Sequence, residues 1–248
     1  MSGHSKWATI KHKKGAADKA RGKLFAKLAR QIEVAAKGGG DIDTNPTLRT
    51  AVQKAKAARM TNDAIDRAIK RGTGESDGDA YESIMYEGYA PGGVALLIDV
   101  LTDNRNRTGA EIRNVFTKLG GSMAEPGSVS WQFVRRGVIV TTAGADEDEV
   151  MMAALEAGAD DVVAEGEGFR VMTEPSVVFD VKEALDAAGI DTISADAPLV
   201  SDNVVPVTDD GEAKSILRIL DALEDNDDVQ DVYSNFDISD ELMEAATA

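Results

Sequence analysis

A chain of 248 residues, 43% apolar and 29% charged, has the composition of a folded protein and room for one large domain or two to three small ones. It contains no cysteine, which excludes disulfides, thiolate nucleophiles and thiolate metal sites; no apolar run approaches the roughly 18 residues of a membrane span. The net charge of −17 conceals a division: residues 1–72 hold 17 of the 27 Lys and Arg against 6 of the 44 Asp and Glu, a balance of +11, leaving 10 against 38, or −28, for the rest. Solubility alone would not require such segregation, which points to a polyanionic partner for the basic part.

In chain order, residues 1–20 read as a flexible basic arm. His4, Lys6, Trp7, Lys11, His12, Lys13 and Lys14 fall between glycines with no usable apolar stripe, and such a segment orders only on a partner. It has no signal-peptide apolar core. A basic start can also mimic a mitochondrial transit segment, but here the helical pattern runs straight on into the first domain, so the expected location is cytoplasmic.

From about residue 18 the period is helical. Leu24, Leu28, Ile32 and Ala36 form one stripe with Phe25 and Ala29 beside it, and Gly38-Gly39-Gly40 ends the helix. Asn45-Pro46 opens a second helix in cap-and-first-turn order, with Leu48, Val52 and Ala55 inward. Thr61 or Asn62 caps a third, carrying Ala64, Ile65, Ala68 and Ile69, and Gly72 stops it. Residues 21–72 are therefore expected to form a basic three-helix domain. Lys23, Lys27, Arg30 and Lys37 lie on one side of the first helix, Arg49, Lys56 and Arg59 on one side of the second, and Arg67, Lys70 and Arg71 on the third. Residues 73–79 read as a linker.

The pattern then becomes mixed. Strands are expected at Tyr81–Tyr89 and Val94–Leu101 around a Pro91-Gly92-Gly93 turn, a helix at about 108–119, and a strand at Val129–Phe133. Residues 138–207 follow a βαββαβ order: strand Val138–Thr142, helix 146–157, hairpin 161–165 with 168–173, helix 176–188, and a strand near 199–207. An amphipathic helix at 210–224 and a strand at Val229–Phe236 supply what 80–134 lacks. The fold class is thus α+β and multidomain. An N-terminal three-helix domain precedes two ferredoxin-like α+β domains, 80–134 plus 208–240 and 137–207, the second inserted into the first.

Catalysis has no foothold. The sequence has no G-x-x-x-x-G-K-[ST] phosphate loop and no G-x-G-x-x-G after a strand, and the triple glycine follows a helix instead of opening one. His4 and His12, the two histidines, lie in the arm, where nothing holds a general base in geometry, and two are too few for zinc. The acidic runs Asp146–Glu149 and Asp225–Asp228 are expected to cap, support or solvate. No cofactor, no metal and no small-molecule substrate is expected. The arm carries the sharper chemistry: its lysines neutralise phosphates, and the Trp7 and His rings stack on unpaired bases. A second candidate is Thr102–Thr108, a strand-to-helix loop where Arg105 and Arg107 can meet an anion; the other reading is that Asp103, Asn104 or Asn106 caps the helix while the arginines pair with nearby acids.

At these residues the chain resembles the YebC/PmpR family, whose mitochondrial relatives include the translational activator of cytochrome c oxidase. The likeness rests on Gly3-His4-Ser5-Lys6-Trp7 through Lys13, on Gly38–Asp41 with Asn45-Pro46, and on Arg67–Lys70 with Gly72-Thr73-Gly74. It continues through Tyr86–Gly93 and Thr102–Thr108, and in Gly127-Ser128-Val129 with Trp131 and Phe133. Thr9 stands where the family often has Asn, and the C-terminal half is unusually acidic. The resemblance implies a helical domain and two α+β domains around a cleft. It also implies one of two roles: a transcriptional regulator that binds DNA, or a ribosome-associated factor that helps synthesis through proline-rich stretches. A flexible basic arm bearing one Trp suits a folded RNA with exposed bases, and no outward recognition helix or dimerising heptad of the kind that reads duplex DNA stands out. The expected partner is therefore ribosomal RNA or the ribosome, with DNA as the alternative; oligomeric state is open.

Overall fold

The computed structural model describes residues 17–74 and 81–247. The arm candidates His4, Lys6, Trp7, Lys11, His12, Lys13 and Lys14 lie outside the described residues, as does most of the linker. The chain divides into two compact units, Met1–Ser130 with Val204–Ala248, and Trp131–Asn203, so the second is inserted into the sequence of the first.

Three helices open the first unit: α1 (Ala17–Ala36), α2 (Pro46–Ala57) and α3 (Asn62–Gly72). The helix thus begins inside the segment expected to be arm. Leu28, Ile32 and Ala36 of α1 are buried with Leu48, Val52 and Ala55 of α2 and Ile65 and Ala68 of α3. Leu24, expected inward, is 45% exposed. At 20 residues α1 is about 30 Å long, against 12 and 11 residues for its partners, so its first turns outrun the helices that would cover them. Asn45 performs its expected cap, accepting from the Leu48 amide at 3.1 Å, and also donates to the carbonyls of Ala35 and Gly39, both at 2.8 Å, which ties the end of α1 to the start of α2. Helix α3 ends at Gly72 as expected, with Gly72 as its last helical residue, and a Cβ there would overlap the Glu33 carbonyl oxygen. Glycine is required by the close approach of α3 to α1.

The α+β part starts with β1 (Glu82–Tyr89) and β2 (Ala95–Thr102), antiparallel from Glu82↔Thr102 to Tyr89↔Ala95. Then come α4 (Arg105–Leu119), closed by left-handed Gly120, and β3 (Ser122–Ala124), which pairs with β1. The strand expected over Val129–Phe133 does not form. Residues Ser130–Gln132 make a 3-10 turn with Trp131 71% exposed, and only Phe133–Arg135 (β4) is extended. Glu87 explains the turn. Its buried carboxylate accepts from the amides of Gly127 at 2.7 Å, Val129 at 2.6 Å and Ser130 at 3.1 Å, satisfying donors that a strand would have given to a neighbour.

In the second unit, β5 (Gly137–Thr141), α5 (Glu147–Glu156), β6 (Asp161–Glu165), β7 (Gly168–Thr173), α6 (Val178–Ala187) and β8 (Thr192–Asp196) realise the βαββαβ order. Their antiparallel sheet runs β6-β7-β5-β8. Ile139 and Val171 of the sheet pack with Val150 and Ala154 of α5 and Val178, Val181 and Leu185 of α6. The fourth strand is therefore 192–196, not the expected 199–207. That later stretch breaks at Asp202-Asn203 into β9 (Leu199–Ser201), paired with β4, and β10 (Val205–Val207).

Back in the first unit, β10 pairs in parallel with β12 (Phe236–Ile238); α7 (Asp210–Glu224), β11 (Val229–Ser234) and a terminal α8 (Asp240–Thr247) complete the chain. The sheet order is β11-β2-β1-β3. Leu96, Ile98 and Val100 of β2, alternate residues on one face, share a buried cluster with Ile112 and Phe116 of α4, with Ile216, Ile219, Leu220 and Leu223 of α7, and with Val229 and Val232 of β11. Helix α7 and strand β11, which follow the insertion, are thus integral to the first α+β core.

Candidate nucleic-acid interface

Lys23, Lys27 and Arg30 share one side of α1, as their spacing predicts, and that side is turned to the end of α7 in the same unit. Lys23 Nζ donates to Asp225 Oδ1 at 2.6 Å and to the Asp225 carbonyl at 3.1 Å. Lys27 Nζ donates to the Glu224 carbonyl at 2.9 Å. Arg30 donates to the Asp227 carbonyl and, at 2.9 Å, to Asp228 Oδ1, with its guanidinium 5.3 Å from the centre of the Tyr81 ring. Lys37 Nζ reaches the Tyr81 carbonyl at 2.9 Å. Lys23, Lys27 and Arg30 therefore depart from the open phosphate-binding face expected of them: in this conformation the turn after α7 holds all three.

Asp228 is the centre of that contact. Its side chain is 6% exposed, and Oδ2 accepts from Thr108 Oγ1 at 2.6 Å, Arg107 at 2.7 Å and Thr102 Oγ1 at 3.1 Å, while Oδ1 takes Arg30. Burial alone would push the Asp228 carboxyl up; the bonds from Thr108, Arg107 and Thr102 and the Arg107 charge outweigh it and hold it below its ordinary value. Arg107, bonded to Asp228 and to Asp103 at 2.8 Å, is held more firmly protonated than a free arginine. Asn104 Oδ1 caps α4 by accepting from the Arg107 amide at 3.1 Å. Of the two readings of Thr102–Thr108, capping and acid pairing is the one the geometry favours for Arg107. Arg105, exposed at the start of α4, has no side-chain partner among the described residues.

The cations left open lie elsewhere. Arg67 and Lys70 are exposed on α3 without an ion pair among the described residues, whereas Arg71 is held by Glu33, Nε to Oε1 at 2.6 Å. At the end of α2, Lys56 and Arg59 are also exposed and unpaired among the described residues. Arg59 adopts φ 63°, the described non-glycine residue in the left-handed region. The amide of Met60 bonds to the Ala55 carbonyl at 2.9 Å and that of Arg59 to Lys56 at 2.9 Å, the paired helix-ending bonds that ordinarily have glycine where Arg59 stands. Sequence reading placed Lys56 and Arg59 on a helical face but not among the binding candidates, and an arginine gives no signal of a left-handed terminus. Lys56 and Arg59 at the end of α2 and Arg67 and Lys70 on α3 are thus open charges among the described residues.

Among the described residues no group of three or more His, Asp or Glu is arranged to hold a metal, and no helix is long and apolar enough to cross a membrane. Asp146 accepts from the Glu149 amide at 3.1 Å, so the first acidic run caps α5; the second makes the α1 contact.

Comparison with known proteins covers nearly the whole chain. A family model described as the TACO1/YebC protein N-terminal domain matches residues 5–75, and one described as the TACO1/YebC second and third domain matches residues 81–236. A relative from Halothermothrix orenii, named "Probable transcriptional regulatory protein", is 56% identical over 100% of this chain and 99% of its own length. One of the same description from Geobacter sulfurreducens is 55% identical over 98% and 99%. Among solved structures, a conserved hypothetical protein from Aquifex aeolicus matches with a TM-score of 0.79 and 44% identity, covering 90% of this chain and 93% of that one. With both domain families matched in order and relatives more than half identical end to end, the chain belongs to the TACO1/YebC family.

Proposed function

We propose that this protein is a non-enzymatic, nucleic-acid-binding regulator of gene expression that acts in the cytoplasm on RNA at the ribosome. The observation that carries this reading is the division of charge, +11 over residues 1–72 against −28 beyond them. A basic end binds phosphates wherever it meets them, while an acidic body is repelled from non-specific polyanion, so the protein approaches nucleic acid by one end. The arm, with His4, Lys6, Trp7, Lys11, His12, Lys13 and Lys14, supplies charge and stacking rings; Lys56, Arg59, Arg67 and Lys70, exposed on α3 and at the end of α2, supply further charge. Arg105 is an outlying phosphate contact that orients the chain on its target. Full-length similarity to proteins named as transcriptional regulators supports the coarser role, and those same names favour a second reading, binding to duplex DNA.

A lysate sedimented through a density gradient separates the two. The expected outcome is co-migration with ribosomes that survives DNase and is abolished by RNase. Migration with DNA, lost on DNase treatment, would replace RNA by the second reading.

A further inference from the structure

The turn Glu224-Asp225-Asn226-Asp227-Asp228 offers α1 nothing but oxygens: the carbonyls of Glu224, Asp225 and Asp227, and the carboxylates of Asp225 and Asp228. Facing it, Lys23, Lys27 and Arg30 are spaced four and three residues apart. Seven residues of helix rise about 10.5 Å, so the three form a short row of cations. That row is held by anionic and carbonyl oxygens, the same acceptor chemistry that the phosphate oxygens of a nucleic-acid strand offer.

The two ends of the contact differ in how tightly they hold. Asp228 is also held by Arg107, Thr102 and Thr108, so it is anchored in the α+β part. The Asp225 side chain is 76% exposed and its partner Lys23 29%, and a pair so accessible is worth only about 1.4- to 5-fold in an equilibrium constant. A polyanion carrying many phosphates can displace it.

We propose that Lys23, Lys27 and Arg30 form a binding site for single-stranded RNA phosphates, and that the 224–228 turn fills this site in the free chain as a built-in competitor. The inference rests on the nucleic-acid reading above and assigns that surface a regulator. RNA that engages the arm and the α2–α3 charges meets a second row of cations only after the turn has been displaced, so weak, short or misplaced polyanions gain little from α1.

The test uses the full chain and an unstructured oligouridine at low salt. Asp225→Asn/Asp227→Asn changes two exposed side chains and leaves Asp228 in place; the variant should bind about two- to tenfold tighter than wild type. Asp180→Asn/Glu183→Gln, on exposed positions of α6, makes the same change in net charge and should gain much less. In the turn variant, Lys23→Ala should cost more affinity than it does in wild type, because there the lysine is open. Equal gains in the two neutralised variants, or none in the first, overturn the turn's role. A wild-type chain that binds neither RNA nor DNA instead removes the underlying reading, and the two failures are therefore distinguishable.

Discussion

Two buried carboxylates, Asp228 and Glu87, organise the first unit, and each is held ionised against the cost of its own burial. For Glu87, burial pushes the pKa up, and the amides of Gly127, Val129 and Ser130 together with the Ser130 hydroxyl bring it below the ordinary value. A carboxyl with a depressed folded pKa contributes stability that is complete above its unfolded value, about 4, and is lost as pH falls through the folded one. Denaturant unfolding followed from pH 7 to 3 should accordingly show a steep loss below about pH 4, and Glu87→Gln should flatten it; an unaltered profile would exclude Glu87 as a source. Asp228→Asn leaves Arg30 and Arg107 facing a neutral group, but both remain partly exposed and Arg107 keeps Asp103; the change should cost about 1.5–3 kcal/mol. Asp225→Asn, at the exposed end of the same turn, should cost less than about 1 kcal/mol. Equal melting temperatures for these two variants would contradict the burial argument. In the arm, Trp7→Ala should lower affinity for RNA with unpaired bases about five- to hundredfold, the worth of one stacked base, while binding to plain duplex changes little. An equal loss on both ligands would argue against stacking.

At the level of elements, most of the fold is legible in the sequence because apolar period and capping residues agree. Asn45-Pro46, Gly120 and Asp146 each mark a helix end where one occurs. Elements are missed where local pattern competes with tertiary demand. The Val- and Leu-rich run 199–207 has the stronger strand pattern, yet it is Thr192–Asp196 that pairs with β5, after the turn at Gly189 and buried Ile190. Alternation at Val129–Phe133 is overridden by Glu87, forty residues earlier, which no local pattern reveals. Helix α2 ends on left-handed Arg59, a conformation that costs an L-residue roughly 1–2 kcal/mol and a glycine little. Arg59→Gly should therefore raise stability by up to about 1 kcal/mol, the gain being reduced by the entropy glycine adds to the unfolded chain. If the side chain is a phosphate contact, the same variant loses affinity for RNA; a variant that is more stable and binds equally well would assign Arg59 no part in the interface.

For the whole molecule, the division of charge was visible in composition alone, and so was the family signature that runs from Gly3 to Phe133. What composition could not show is that part of the positive charge is answered inside the chain. Lys23, Lys27 and Arg30 meet a turn some 200 residues away, and a helical wheel identifies the face they share but not what covers it. On the reading proposed above, the positive charge open to a polyanion while the 224–228 turn holds α1 is correspondingly less than the +11 balance suggests: the arm cations with Lys56, Arg59, Arg67 and Lys70. The central claim is that this basic end binds phosphates, and the salt dependence of binding measures it most directly. With about five phosphates neutralised, log K for single-stranded RNA against log salt should fall with a slope near −3.5. Replacing Lys11, Lys13 and Lys14 by Ala should make that slope shallower by about 2. A slope near zero, or one unmoved by those replacements, would contradict the account.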